Sequence, residues 1–165
     1  MTEAKDADLA RKIDLLMSHR EIKDMLYRVG YAIEDGDFQR IGDIMGDATL
    51  GADMIGRRVF HGGDEIRDQY KRTNITYPGR GRASKEIYHN ILIDIDLDAD
   101  TAKSVTSYTV PHQPPDEVFE LIVAGRYEDE WKRVDGTWRW ADRYVVVQFK
   151  NDLNKHMHSG TQPYN

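Results

Sequence analysis

The sequence predicts an α+β fold in which a strongly curved β-sheet holds helices on its concave side. Three observations carry this. Apolar residues at helical spacing are confined to the first third of the chain, period-two alternation fills the second half, and an Asp-Gly turn joins the two longest strand segments. The 165 residues fit a single domain spanning 1–165, with a core over about 18–150 and a polar tail at 151–165.

Each element follows in turn. Leu9, Ile13, Leu16 and Met17 form one apolar stripe, and Ile22, Met25, Leu26, Val29 and Ile33 form a second, rotated from the first. Ser18-His19-Arg20-Glu21 lies at the break and matches a capping box, so the pattern predicts two helices, about 6–17 and 19–35, with Gly36 ending the second. A short amphipathic helix over about 38–46 is stopped by Gly46. Ala48–Asp53 and Arg57–Phe60 read as short paired strands joined through Gly56. Asp64 then caps a helix running to about Lys71. Residues 74–84, rich in Gly, Pro and Arg, read as a mobile loop. Ile91, Ile93, Ile95 and Leu97 alternate with Leu92, Asp94, Asp96 and Asp98, and Thr101–Val110 and Val118–Arg133 follow as strands. Asp135-Gly136 is the hairpin turn into Trp138–Lys150. The tail has no periodicity and reads as loosely held.

Composition removes whole classes of chemistry. A formal charge of −6 opposes nucleic-acid binding, and the absence of cysteine excludes disulfides, thiol nucleophiles and thiolate metal sites. No apolar run is long enough to span a bilayer, and the charged N-terminus lacks a secretory core, so the expected location is cytoplasmic, with no membrane partner. No dinucleotide or phosphate-binding glycine motif and no metal-ligand spacing occurs, so no cofactor and no metal are expected. His156-Met157-His158 has no carboxylate beside it, and Gly79-Arg80-Gly81-Arg82 reads either as an anion-meeting run or as a solvated loop.

Three segments resemble a known family. Ile22-Lys23-Asp24-Met25-Leu26 with Ala32-Ile33-Glu34-Asp35-Gly36-Asp37-Phe38 resembles the helix motif of the SnoaL-like branch of the nuclear transport factor two-like proteins. Phe60-His61-Gly62-Gly63-Asp64-Glu65-Ile66 resembles its helix start, and Gly125-Arg126-Tyr127-Glu128-Asp129-Glu130-Trp131 with Asp135-Gly136-Thr137-Trp138-Arg139 resembles its hairpin. The likeness covers residues 18–150 and implies a cystatin-like α+β roll, a cone whose sheet wraps the N-terminal helices. It further implies an apolar pocket, no cofactor, and self-association as a dimer or trimer through the outer face of the sheet. The branch holds dehydratases, dehydrochlorinases and polyketide cyclases beside non-catalytic members and dioxygenase small subunits.

The eliminating members share an acidic residue near the end of the second helix and a facing strand histidine. A carboxylate that charges an imidazole in an apolar cavity makes a base that works near neutral pH. Glu34 stands at the acidic position. The histidine position, four residues before Asn90, is Glu86, while the available imidazole is His89. Simple alternation puts His89 on the buried face with Ile91 and Ile93, and a β-bulge would reverse this. The catalytic candidates are therefore Glu34, His89 and Tyr127, with Tyr27, Glu86, Val123 and Trp131 as substrate-binding candidates. The expected function is a cofactor-independent, dehydratase-like lyase or isomerase acting on a small cyclic, steroid, aromatic or polyketide-like molecule. The alternatives are a small-molecule-binding or assembly module and a polyketide cyclase.

Overall fold

The computed structural model describes residues 2–53 and 59–158. The predicted turn at Gly56, the strand start at Arg57 and the tail beyond His158 lie outside the described residues.

The N-terminal segment is one continuous helix, α1 (Thr2–Asp35), not two. The residues of the expected capping box are committed elsewhere. Ser18 is buried and its hydroxyl donates to Asp14 Oδ1 at 3.4 Å, while Glu21 Oε1 accepts the Trp138 backbone N–H at 3.1 Å. With both side chains occupied, nothing interrupts the helical ladder. The rotation between the two stripes has a different meaning. Ile22, Leu26, Val29 and Ile33 are buried against the sheet, whereas Leu9, Ile13, Leu16 and Met17 remain exposed. Gly36 ends α1 with a φ of 70°, and Asp37 caps α2 (Phe38–Met45) by accepting the Arg40 N–H at 3.1 Å.

Strands β1 (Thr49–Ala52) and β2 (Val59–His61) pair antiparallel, Leu50 opposite Phe60. Helix α3 (Gly62–Thr73) begins ahead of Asp64, which therefore sits in the first turn and is not the cap. The cap position is His61, whose N–H donates to Glu65 Oε2 at 2.9 Å.

Strands β3 (Ile87–Asp96), β4 (Thr101–His112), β5 (Glu120–Val134) and β6 (Thr137–Lys150) form the meander. Asp135 and Gly136, with φ of 50° and 76°, make the tight β5–β6 turn. The six strands lie in the order β2-β1-β6-β5-β4-β3, all pairs antiparallel except β1 with β6. The register shifts within β3–β4, β4–β5 and β5–β6, and such bulges bend the sheet around α1. Between helix and sheet lies a core in which Ile22, Leu26 and Ile33 meet Trp131, Trp138 and Trp140, and a second cluster joins Tyr108, Val110, Ile122 and Tyr127 to Leu153 and Met157.

The segment 74–84 is built into the structure. Asn74, Arg82 and Ser84 are buried, and backbone bridges join Asn74 to Met157 and Ser84 to His112. Gly81 allows this contact: its φ is 56°, and a side chain there would strike the Glu34 carbonyl. The start of the tail is likewise docked, with Leu153, His156 and Met157 buried. Among the described residues no helix is long and apolar enough to cross a membrane.

Candidate active site

The bulge in β3 decides what faces the interior. His89 opposes Ser107 and Leu92 opposes Val105, so β3 carries one extra residue there, and Asn90 adopts a φ of 50°. Asn tolerates this left-handed conformation better than most side chains. The extra residue reverses the alternation upstream. Glu86 and Tyr88 turn inward with Ile91 and Ile93, and His89 turns out to solvent. His89 therefore does not meet Glu34, and no carboxylate–imidazole pair forms between them.

What the interior receives instead is Glu86. It lines a cavity of about 130 Å³ between the helices and the sheet, together with Ile33, Leu50, Val110, Val123 and Val145. Its side chain is 4% exposed. Tyr127 donates its hydroxyl to Glu86 Oε2 at 2.9 Å, and Arg82 Nη1 reaches Oε1 at 3.5 Å. Burial raises the Glu86 carboxyl above the ordinary carboxylate range, and the opposing pull of Arg82 and Tyr127 does not cancel it. A carboxyl group so placed holds its proton more tightly than one in water, which makes it a stronger base when ionised.

Glu34 supports this residue from behind. Its Oε1 accepts the Glu86 backbone N–H at 2.9 Å and its Oε2 takes Lys85 Nζ at 2.6 Å. It lies in a neighbouring cleft with Tyr27, Tyr31 and Tyr88, and Glu86 lines both this cleft and the cavity.

Tyr127 is clamped by aromatic neighbours: Tyr108 stacks on it at 4.3 Å and Tyr88 meets it edge-on at 5.6 Å. Burial holds its phenol, like those of Tyr88 and Tyr108, well above the usual range, so all three remain protonated donors. Arg143 lies beneath, its guanidinium 4.1 Å from the Tyr127 ring centre and 4.4 Å from that of Trp140. It is fully buried and gripped by Asp129 through bonds of 2.7 and 3.1 Å. Burial alone would lower its affinity for the proton, but Asp129 outweighs this and holds it charged.

Arg143 was hidden by a second bulge. Trp131 opposes Trp140 but Glu130 opposes Asp142, so Ala141 is an extra residue and Arg143, out of phase with Trp138 and Trp140, turns inward. Arg82 and His156 form a further polar part of the wall, beside Gln69, Thr73 and Asn74, with Arg82 Nη2 bonded to His156 Nε2. Burial first, and then Arg82 and His112, push the His156 imidazole well below its ordinary range and keep it neutral. The sequence left Arg82 open between an anion-meeting run and a solvated loop, and it gave no role to His156. Arg82 lay within the segment read as a mobile loop, and His156 in the one read as a loosely held tail.

Of the residues singled out from sequence, Glu86, Tyr127 and Val123 come together in the cavity. Glu34 stands one layer away, Tyr27 is partly exposed in the outer cleft, and His89 is on the opposite face. Trp131 is core and not cavity wall: it stacks on Trp140 at 4.2 Å and donates to Ser104 Oγ at 3.0 Å. Among the described residues no group of three or more His, Asp or Glu is placed to hold a metal ion.

The fold is shared with known proteins. The SnoaL-like domain family matches residues 14–144. No curated protein matches the chain by sequence. An NTF2-like protein with a cystatin-like fold from Novosphingobium aromaticivorans superposes with a TM-score of 0.72 at 17% identity, covering 86% of this chain and 88% of the other. A hexachlorocyclohexane dehydrochlorinase from Novosphingobium barchaimii gives 0.69 at 17% identity, covering 90% and 95%. A protein provisionally called a scytalone dehydratase, from Novosphingobium aromaticivorans, gives 0.66 at 18% identity, covering 86% and 91%. At these identities the likeness is one of fold.

Proposed function

This chain belongs to the SnoaL-like domain family, and from that premise we propose that it is a cofactor-independent lyase or isomerase in which Glu86 moves the proton. The observation that carries the reading is the Glu86 carboxylate, buried in an apolar cavity and hydrogen-bonded to Tyr127. Ionised Glu86 takes a proton from a carbon beside a carbonyl or leaving group. The C–H electron pair moves into the neighbouring C–C bond. The proton then returns to another carbon in an isomerisation, or leaves with a departing hydroxyl as water in an elimination. Tyr127 orients the carboxylate and donates to whichever oxygen carries charge, in a site where few waters compete. Two structurally similar proteins whose names denote eliminating enzymes are consistent with this class.

The direct test is deuterium exchange into an enolisable ring such as cyclohexanone, followed by NMR in heavy water. The protein should accelerate exchange, and Glu86→Gln should lower that rate by at least about 10²-fold, the usual range for a positioned acid–base group. No acceleration by the wild-type protein would sink the reading. The second reading is a non-catalytic small-molecule-binding module. It is favoured by one observation, the absence of His89 from the cavity, and it expects Glu86→Gln to alter binding alone.

A further inference from the structure

Two arginines reach the interior, and they are treated differently. Arg143 is held by both oxygens of Asp129, with bonds of 2.7 and 3.1 Å, so its charge is paired at short range although its Nη1 is buried without a hydrogen-bond partner. Arg82 is almost as buried, at 5% exposure, yet its carboxylate contact is a single one, to Glu86 at 3.5 Å. Its other bond goes to the ring of His156, which burial keeps neutral and which therefore contributes no negative charge. Arg82 Nε and His156 Nδ1 are buried without a partner. His112, which packs on His156 with ring centres 5.0 Å apart, is also held toward its neutral form, by burial and then by Arg82. The carboxylate that Arg82 reaches is itself pushed by burial toward its uncharged form. A buried guanidinium that is incompletely paired is costly, and the missing partner is a planar acceptor of charge −1.

The cavity sets the rest of that partner. Its volume of about 130 Å³ is close to the roughly 150 Å³ of an engineered lysozyme cavity that takes benzene. Space of that size seats one ring, and the fused rings of a steroid or polyketide would reach beyond it. A phosphate dianion would demand a second free cation, and Arg143 is already committed to Asp129.

We propose that the cavity takes a single-ring carboxylate, its anionic group seated on Arg82 beside His156 and its ring against Val110, Val123 and Val145. This rests on the reading of the cavity as the active site. It adds a consequence: a bound carboxylate draws Arg82 away from Glu86, weakening the larger of the two cationic pulls on that carboxyl, so that the substrate itself makes the base stronger.

Calorimetric titration of the whole protein at neutral pH with benzoate, benzyl alcohol and 2-naphthoate tests it. Benzoate should bind at least about tenfold tighter than benzyl alcohol, as expected for a charge-assisted contact, and 2-naphthoate should bind more weakly than benzoate. Arg82→Gln should abolish the preference for benzoate while benzyl alcohol still binds. The wild-type comparison stands even if that variant fails to fold. Equal or tighter binding of benzyl alcohol, or failure of benzoate to bind at millimolar concentration, overturns the proposal. Tighter binding of 2-naphthoate overturns the one-ring limit. Loss of cyclohexanone exchange in Glu86→Gln without any benzoate preference leaves the catalytic reading intact and removes this one. Benzoate preference without exchange does the reverse.

Discussion

Glu34 Oε1 accepts the backbone N–H of Glu86 at 2.9 Å. The two positions that the family resemblance pairs as acid and imidazole do meet here, but through main chain. The helix carboxylate thus fixes where β3 begins and how Glu86 enters the cavity. Glu34→Gln keeps an acceptor for that N–H and loses only the bond to the exposed Lys85, so exchange activity should stay within a few-fold of wild type. Glu34→Ala leaves the amide unsatisfied and should cost about 1–3 kcal/mol in urea unfolding. A hundredfold loss of activity in Glu34→Gln with stability unchanged would show that Glu34 itself carries charge to the reaction.

His89→Ala should leave both properties unchanged. The side chain is exposed on the outer face of β3, and exposed substitutions of this kind stay within about 0.5 kcal/mol. Thermal melting and the exchange assay together check it, and a drop in turnover would contradict the observed β3 register.

The Glu86 carboxyl carries a pH prediction with a defined sign. Its folded value is raised, chiefly by burial. Its contribution to stability is therefore complete below the unfolded carboxylate value of about 4.3 and is lost as pH rises through the folded value. Glu86→Gln stays neutral throughout. Its urea midpoint should gain on that of wild type as pH rises above about 4.3, and a constant difference across that range would contradict the shift.

Removing one member of the buried pair beneath Tyr127 should be severe. Asp129→Ala leaves the Arg143 guanidinium uncompensated at zero exposure and removes the acceptor of Trp140 Nε1, bonded at 2.9 Å. A loss of about 3–5 kcal/mol in chemical denaturation is expected. A loss below about 1 kcal/mol would mean that Arg143 finds another partner.

The protein should self-associate. Leu9, Ile13, Leu16 and Met17 form an exposed apolar stripe on α1, and Leu92 and Val105 are exposed on the outer face of the sheet. Light scattering should give a mass above the 19.1 kDa of one chain, and Leu16→Glu with Met17→Glu should weaken the association. A wild-type monomer at micromolar concentration would contradict this.

The architecture was legible from periodicity because both periods are strong here. The Ile91–Leu97 alternation and the Ile22–Ile33 stripe each report one face turned inward over several residues, and the Asp135-Gly136 turn reports the chain reversal between β5 and β6. Where Ser18 to Glu21 misled, the local capping pattern was overridden by partners far along the chain, Trp138 among them. The site was less legible because half of it depends on backbone count. Nothing in the residue types around Asn90 or Ala141 states that an extra residue is tucked there, yet each decides which neighbour faces inward. Arg82 and His156 were hidden for another reason: their burial comes from mutual contact across 74 residues of chain.

The bulge at Asn90 also bears on how such a site changes over time. Two side chains three residues apart, the carboxylate of Glu86 at the strand entry and the imidazole of His89, face opposite sides of the sheet, and a single inserted residue selects between them. Shortening β3 by one position there would exchange an interior acid for an interior histidine without altering either residue. Lineages carrying this strand can thus trade one proton-transfer group for another by length alone, and aligned columns that ignore the gap will compare residues that never occupy the same space.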